Sequence, residues 1–251
     1  MPKPTHQIIA SGGGSFAADT ENPAQERYIL AQARSRNPSV CFIGTATGDS
    51  AAYVAKFYAA FSKLRCQPSH FPLFERTPDP SVLPDYDVIY VGGGNTKSLL
   101  AAWRDWELPK FLRQAYDRGT VLAGVSAGAI CWFQTGVTDS WAGSLKPLPC
   151  LGWLPNACCP HYDGEKDRRP TTQHLVSRGL LPETLALDDG AMAHFTSGRL
   201  RRLVSSRPNA GAYIVRRAAG RGAQRFVETP LAVTRLGADG RLEGIGRRNR
   251  A

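Results

Sequence analysis

The chain has 251 residues, 42% of them hydrophobic, and its 31 Lys and Arg against 21 Asp and Glu give a formal net charge of +10. That length buries one large core and sits at the upper end for a single domain, so one domain over residues 1–251 is expected, with a basic tail at about 246–251. No apolar stretch approaches the ~20 residues that cross a bilayer, and the basic residues are scattered with no aromatic-studded basic motif, which argues against membrane and nucleic-acid partners.

The start, Met1 to His6, leads into Gln7-Ile8-Ile9-Ala10 and then glycines. It lacks the charged and extended apolar regions of a signal peptide, so a cytoplasmic location is expected. Residues 7–11, 39–44, 88–91 and 120–125 are short apolar runs, as buried parallel strands should be. Between them, residues 21–36, 51–64 and 97–118 repeat apolar positions at helical spacing, and Pro109 is suited to start a second helix within the last stretch. This βαβ succession predicts an α/β fold: a mainly parallel sheet between helices, with functional loops at the carboxyl ends of the strands. Those loops are 12–16, 45–50, 92–96 and the turn at Ser126. Further on, residues 185–187, 191–196, 200–205, 212–216 and 231–235 read as short strands that continue or edge the sheet. Cys41, Cys66, Cys131, Cys150, Cys158 and Cys159 show neither CxxC spacing nor His partners in zinc register, so free thiols and no metal site are expected.

In Gly124-Val125-Ser126-Ala127-Gly128 a serine stands between glycines where an apolar strand turns into a helix, the context of a nucleophile elbow. Small residues allow the sharp turn, and the amide of Ala127 faces a developing oxyanion. The bland reading is a turn in which Ser126 only caps the helix. Val91-Gly92-Gly93-Gly94-Asn95-Thr96 follows another strand and opens a helix, which suits a backbone amide brought close to a ligand. Lys97-Ser98 lacks the leading spacing of a phosphate-binding loop. Gly12 to Ala17 fits GxGxxA, but the second apolar run ends without the acidic residue that a dinucleotide site needs, so no cofactor is expected.

A serine nucleophile needs a base, and five histidines are available. His6 and His70 precede the turn; His174 falls on a predicted helix and His194 on a predicted strand. His161 lies in a loop bounded by Pro160 and Gly164, where a side chain can be held for chemistry. A carboxylate must orient the imidazole. Asp188-Asp189-Gly190 ends a predicted strand, and Asp139 is a second candidate. Either Asp139 before His161 or Asp189 before His194 also satisfies the chain order of an α/β-hydrolase esterase. The net charge leaves a non-catalytic basic binding module as a further alternative.

Together, Val91 to Thr96, Gly124 to Ala129, Pro160-His161-Tyr162 and Leu187-Asp188-Asp189-Gly190 resemble the peptidase E (aspartyl dipeptidase) family of serine peptidases, whose wider relatives include cyanophycinase and class I glutamine amidotransferase-like folds. The resemblance implies a three-layer α/β sandwich and metal-independent hydrolysis of short peptides. It implies Ser126 as nucleophile, His161 as base, Asp189 as acidic partner with Asp139 as another, and an oxyanion hole from Ala127 with Gly93 or Gly94. Asn95 and Arg168 become candidate substrate-binding residues. Aspartyl-specific members carry a longer segment after the histidine and an arginine for the substrate's aspartate. Here Gly164-Glu165 follows His161 almost at once and Asp167 stands near the arginine position, so strict aspartyl preference is not expected. The expected partners are short peptide substrates, with room for a homo-oligomer.

Overall fold

The computed structural model describes residues 5–19, 21–218 and 225–243; the basic tail at 246–251 lies outside them. The first half runs β1 Gln7–Ser11, α1 Ala24–Leu30, β2 Ser39–Ile43, α2 Ala51–Phe61, β3 Gln67–His70, β4 Val88–Val91, α3 Thr96–Asp105, α4 Leu108–Arg118, β5 Val121–Val125 and α5 Ala127–Ile130. Pro109 sits in the first turn of α4, where its missing N–H costs nothing. Then come β6 Phe133–Trp141, β7 Ser144–Pro149, β8 Leu154–Cys159, α6 Arg168–Ser177, β9 Thr184–Leu187, β10 Ala191–Thr196, β11 Arg199–Ser205, β12 Ala212–Arg217, β13 Phe226–Leu231 and β14 Thr234–Arg235.

The expected parallel sheet is present, in the order β14-β11-β10-β1-β5-β4-β2-β3. The five strands from β1 to β3 are mutually parallel, while β10 and β11 extend the sheet in antiparallel fashion. The second half does more than edge it. A separate six-stranded sheet forms in the order β13-β12-β9-β8-β6-β7.

Strand alternation divides the core. Ile9, Val40, Phe42, Val88, Tyr90, Val121 and Ala123 face α1 and α2, meeting Tyr28, Ile29, Phe57 and Phe61. Ile8, Ala10, Cys41, Ile43, Ile89, Val91 and Leu122 face the other way, into one cluster with α3, α4, α5 and the second-sheet residues Leu154, Cys158, Leu185 and Leu187. The two sheets thus share a core. The far side of the second sheet packs on α6 through Val137, Ala157, Ala186, Leu175 and Val176. All six cysteines are free, and burial pushes the Cys41, Cys131, Cys158 and Cys159 thiols up, leaving them inert packing residues.

Because β1, β4 and β5 are parallel neighbours or next neighbours, the loops leaving their carboxyl ends converge. Gly12 to Ser15, Gly92 to Asn95 and Ser126 therefore meet at one edge of the sheet, where ligands bind in open α/β folds.

Candidate active site

Ser126 sits at the junction of β5 and α5 with φ 54° and ψ −112°, a left-handed backbone that a side chain rarely adopts. The flanking glycines make this turn possible. A Cβ on Gly124 would overlap the Gly128 carbonyl, and one on Gly128 would overlap the Val91 carbonyl of the neighbouring strand. The Ser126 side chain makes no capping hydrogen bond to α5. Its hydroxyl faces instead a cavity of about 520 Å³, whose wall also holds Gly13, Tyr53, Gly93, Gly94 and His161.

His161 is presented by a second left-handed residue, φ 52°, in the loop after β8. Its amide donates to the Gly12 carbonyl at 3.1 Å, and the next amide, of Tyr162, donates to the Leu187 carbonyl at 3.1 Å. The loop is thereby clamped between the segment after β1 and the end of β9. The His161 Nδ1 lies 2.6 Å from Asp189 Oδ1. With a proton assigned to Nδ1, Nε2 is left to act as a base. The same hydrogen bond is the main cause that holds the Asp189 carboxyl below its ordinary value, against the opposing effect of burial. Asp163 fixes the partner from behind: its carboxylate accepts the Asp189 amide at 2.8 Å and the Arg207 guanidinium at 2.5 Å. Among the described residues, no hydrogen bond joins Ser126 to His161, a looseness common in substrate-free sites.

Of the acidic pair, Asp188 points inward: its carboxylate accepts the Gly211 amide at 2.7 Å and burial raises its pKa. Asp139, the other expected partner of the histidine, lies elsewhere. It stands on β6, 3.4 Å from Arg168, and lines a cavity with Ser126 that does not include His161. Arg168 in turn is 2% exposed and fully engaged, by Glu165 at 2.6 Å, the Val137 carbonyl at 2.8 Å and Asp139. The guanidinium expected at the substrate is thus ion-paired to two carboxylates where it borders the site. Asn95 is similarly committed: its side chain caps α3 by accepting from the Ser98 amide at 2.9 Å and donates to the Ser140 carbonyl at 3.2 Å. These groups border a second cavity of about 350 Å³ that also reaches Ser126. The amide of Ala127 opens α5, where no intrahelical acceptor exists. Among the described residues, no helix is long and apolar enough to cross a membrane, and no three His, Cys, Asp or Glu side chains are grouped to hold a metal ion.

His194 is a packing residue. On β10 it is 5% exposed, its Nδ1 lies 2.8 Å from the Tyr28 hydroxyl and its Nε2 3.0 Å from Gln7 Oε1. Desolvation, with Arg202 and Arg201 nearby, pulls its pKa down to about 4, so it is neutral at pH 7. His194→Ala is expected to lose about 1–3 kcal/mol of stability, because Tyr28 and Gln7 are left without their partner, while turnover per folded molecule stays within about twofold. Thermal melts and active-site titration check both.

Sequence pattern places Gly13 and Gly164 in functional loops without showing that they shape the pair. A Cβ on Gly13 would overlap Asp189 Oδ1, and one on Gly164 would overlap Asp189 Oδ2. The run Gly12-Gly13-Gly14, which suggests a nucleotide loop, thus leaves room for a carboxylate and an imidazole. Gln25 secures it, donating to the Gly13 and Gly14 carbonyls at 3.0 Å. Phe16 then anchors the loop among Phe42, Phe57, Phe61 and Tyr90.

Comparison with known proteins bears on the family and the fold. Residues 8–203 match the model of peptidase family S51. The chain is 49% identical over 233 residues to the uncharacterized peptidase YgaJ of Bacillus subtilis (strain 168), covering 92% of this chain and 99% of that one. Among solved structures it shares its fold with a peptidase from an acI-B1 Actinobacterium, at a TM-score of 0.67, 14% identity, and coverage of 90% and 97% of the two chains. It does so too with a candidate peptidase E of Listeria monocytogenes EGD-e, at a TM-score of 0.60, 18% identity, and coverage of 82% and 100%. A family match over most of the chain and a near-full-length relative at this identity place the protein in peptidase family S51.

Proposed function

We propose that this peptidase is a serine hydrolase that cleaves short peptides through an acyl-enzyme on Ser126. The observation that carries the proposal is an uncapped serine hydroxyl on a strained elbow, sharing one cavity with a histidine whose other nitrogen is bonded at 2.6 Å to a carboxylate. In this reading His161 Nε2 takes the Ser126 proton as Oγ adds to the scissile carbonyl. The Ala127 amide receives the oxyanion. Collapse breaks the C–N bond, and His161 returns the proton to the leaving amine. A water molecule, deprotonated by the same imidazole, then releases the acid and restores Ser126. A cavity of about 520 Å³ is the size of a small-molecule site and favours short peptides over folded chains. With Arg168 ion-paired to Asp139 and Glu165, it is not free for an aspartate side chain, which supports a specificity other than strictly aspartyl.

The test is a library of free dipeptides and tripeptides assayed beside short acyl esters, with a fluorophosphonate to mark the nucleophile. Peptide cleavage and a phosphonyl adduct on Ser126 are expected. Ester hydrolysis with no peptide cleaved would replace the peptidase reading by an esterase one. Since no step uses a metal, activity should survive exhaustive EDTA treatment to within about 20%, by analogy with serine hydrolases. Loss on chelation with recovery on adding zinc or manganese would overturn the mechanism.

A further inference from the structure

The glycine run after β4 presents consecutive backbone amides, and most are engaged. Gly92 donates to the Ile43 carbonyl at 3.0 Å, and Asn95 to the Ala46 carbonyl at 2.7 Å. Gly93 donates to a side chain instead: its nitrogen lies 3.2 Å from the Tyr53 hydroxyl. Gly93 is also the member of the run that stands against the nucleophile, since a Cβ built on it would lie 3.3 Å from Ser126 Cβ and 3.9 Å from Ser126 Oγ. An amide expected from the sequence to receive the oxyanion therefore has a phenol oxygen in front of it. Accepting that bond occupies a lone pair on the oxygen and leaves the phenol proton free. Among the described residues that proton has no acceptor, and Tyr53 lines the cavity shared by Ser126 and His161.

We propose that the Tyr53 hydroxyl is a catalytic hydrogen-bond donor, passing the polarity of the Gly93 amide to the oxyanion that forms beside the amide of Ala127. The inference rests on Ser126 being the nucleophile. Aromatic packing fixes the ring, whose centroid lies 5.6 Å from that of Phe16 and 5.1 Å from that of Phe42. A Cβ on Gly92 would come within 2.9 Å of Tyr53 Cε1, so the glycine lets the ring lie against the loop. Burial pushes the phenol up to about 12, the Gly93 hydrogen bond pulling the other way, so the oxygen keeps its proton at neutral pH. That proton is donated and never transferred. Negative charge arises when Oγ adds to the carbonyl and its proton passes to His161, and it is relieved when the carbonyl re-forms. In the chain N–H to O–H to oxyanion, each bond polarises the next.

The opposite possibility is that Tyr53 merely plugs the hole and substrate displaces it. The two differ in sign for Tyr53→Phe, which removes one oxygen and keeps the ring. Labelling of Ser126 by a fluorophosphonate reads the effect without a known substrate, because Oγ–P forms as P–F breaks with the phosphoryl oxygen in the oxyanion position. We expect Tyr53→Phe to slow labelling about 10²-fold, the scale of losing one oxyanion donor, and to lower kcat on the best library peptide similarly with KM changed less than about threefold. Labelling equal to or faster than wild type in a folded Tyr53→Phe overturns the proposal in favour of the plug. Should that variant not fold, site-specific 3-fluorotyrosine at 53 serves: it lowers the phenol's pKa, so the alkaline fall in labelling moves to lower pH, and an unmoved limb overturns the proposal. Ser126→Ala separates the readings. A dead Ser126→Ala beside a fully active Tyr53→Phe removes Tyr53 alone, whereas an active Ser126→Ala removes both.

Discussion

Ser126→Ala should abolish peptide turnover, by at least about 10³-fold, and leave the fold intact. The stability half of this expectation follows from the local geometry. The hydroxyl makes no capping hydrogen bond, so its loss strands no partner in α5. Alanine also keeps the Cβ that φ 54° disfavours, so the strain at the elbow persists. Glycine would release it. Ser126→Gly is therefore expected to be equally inactive but more stable than Ser126→Ala by about 1 kcal/mol, since such a backbone costs about 1–3 kcal/mol for a side chain and glycine gives part of that back in unfolded-chain entropy. In a chain of this size that is a rise in melting temperature of about 2–4 °C. Turnover assays and thermal melts on the three proteins decide it. Alanine retaining more than a tenth of wild-type activity would remove Ser126 from the mechanism. Glycine melting below alanine would show that the elbow stores no strain.

How much of this was legible in the sequence differs by element. Four of the five parallel strands of the first half were readable because buried strands are short continuous apolar runs, three of them ended by glycine, and Ser126 was readable because its two glycines are required by backbone contacts at Gly128 and Val91. The second sheet was legible only in part, through the short runs that became β9 and β12. Its strands β6 and β7 carry mixed polar and apolar residues with patterns such as Ser144-Leu145-Lys146-Pro147, because they are partly exposed, and a proline-bearing run is ordinarily discounted as a strand. Nor did spacing reveal that Asp139 pairs with Arg168, since that pairing joins β6 to α6, far apart in the chain. Tyr53 was hidden for a simpler reason. In sequence it is one aromatic residue at helical spacing among Phe57 and Phe61, both of which are core. Only the meeting of α2 with the β4 loop gives its hydroxyl a different neighbour.

The larger test of the proposed site is whether His161 and Asp189 act as one unit. His161→Ala should reduce turnover about as far as Ser126→Ala, and the double variant should lose little more, because removing either reacting group already disables the same step. Asp189→Asn is expected to lose about 10²–10⁴-fold, since an amide facing Nδ1 can hold the ring in the wrong tautomer and cannot balance imidazolium charge. Its neighbours make the substitution a clean one in shape: Gly13 and Gly164 leave room for either planar group, and the Asp163 carboxylate still accepts the residue's backbone amide. Stability adds an independent reading. The His161 hydrogen bond holds the Asp189 carboxyl below its ordinary value of 3.8. A depressed folded pKa means that the stabilisation is complete above the unfolded value and drains away as pH falls through the lower folded one. Wild type should therefore exceed Asp189→Asn in stability by a constant margin at neutral pH, and the margin should close only below about pH 4, where even unperturbed carboxylates take up protons. A margin that closes near neutrality, or an Asp189→Asn enzyme with wild-type turnover, would detach Asp189 from His161 and leave the histidine without its acidic partner.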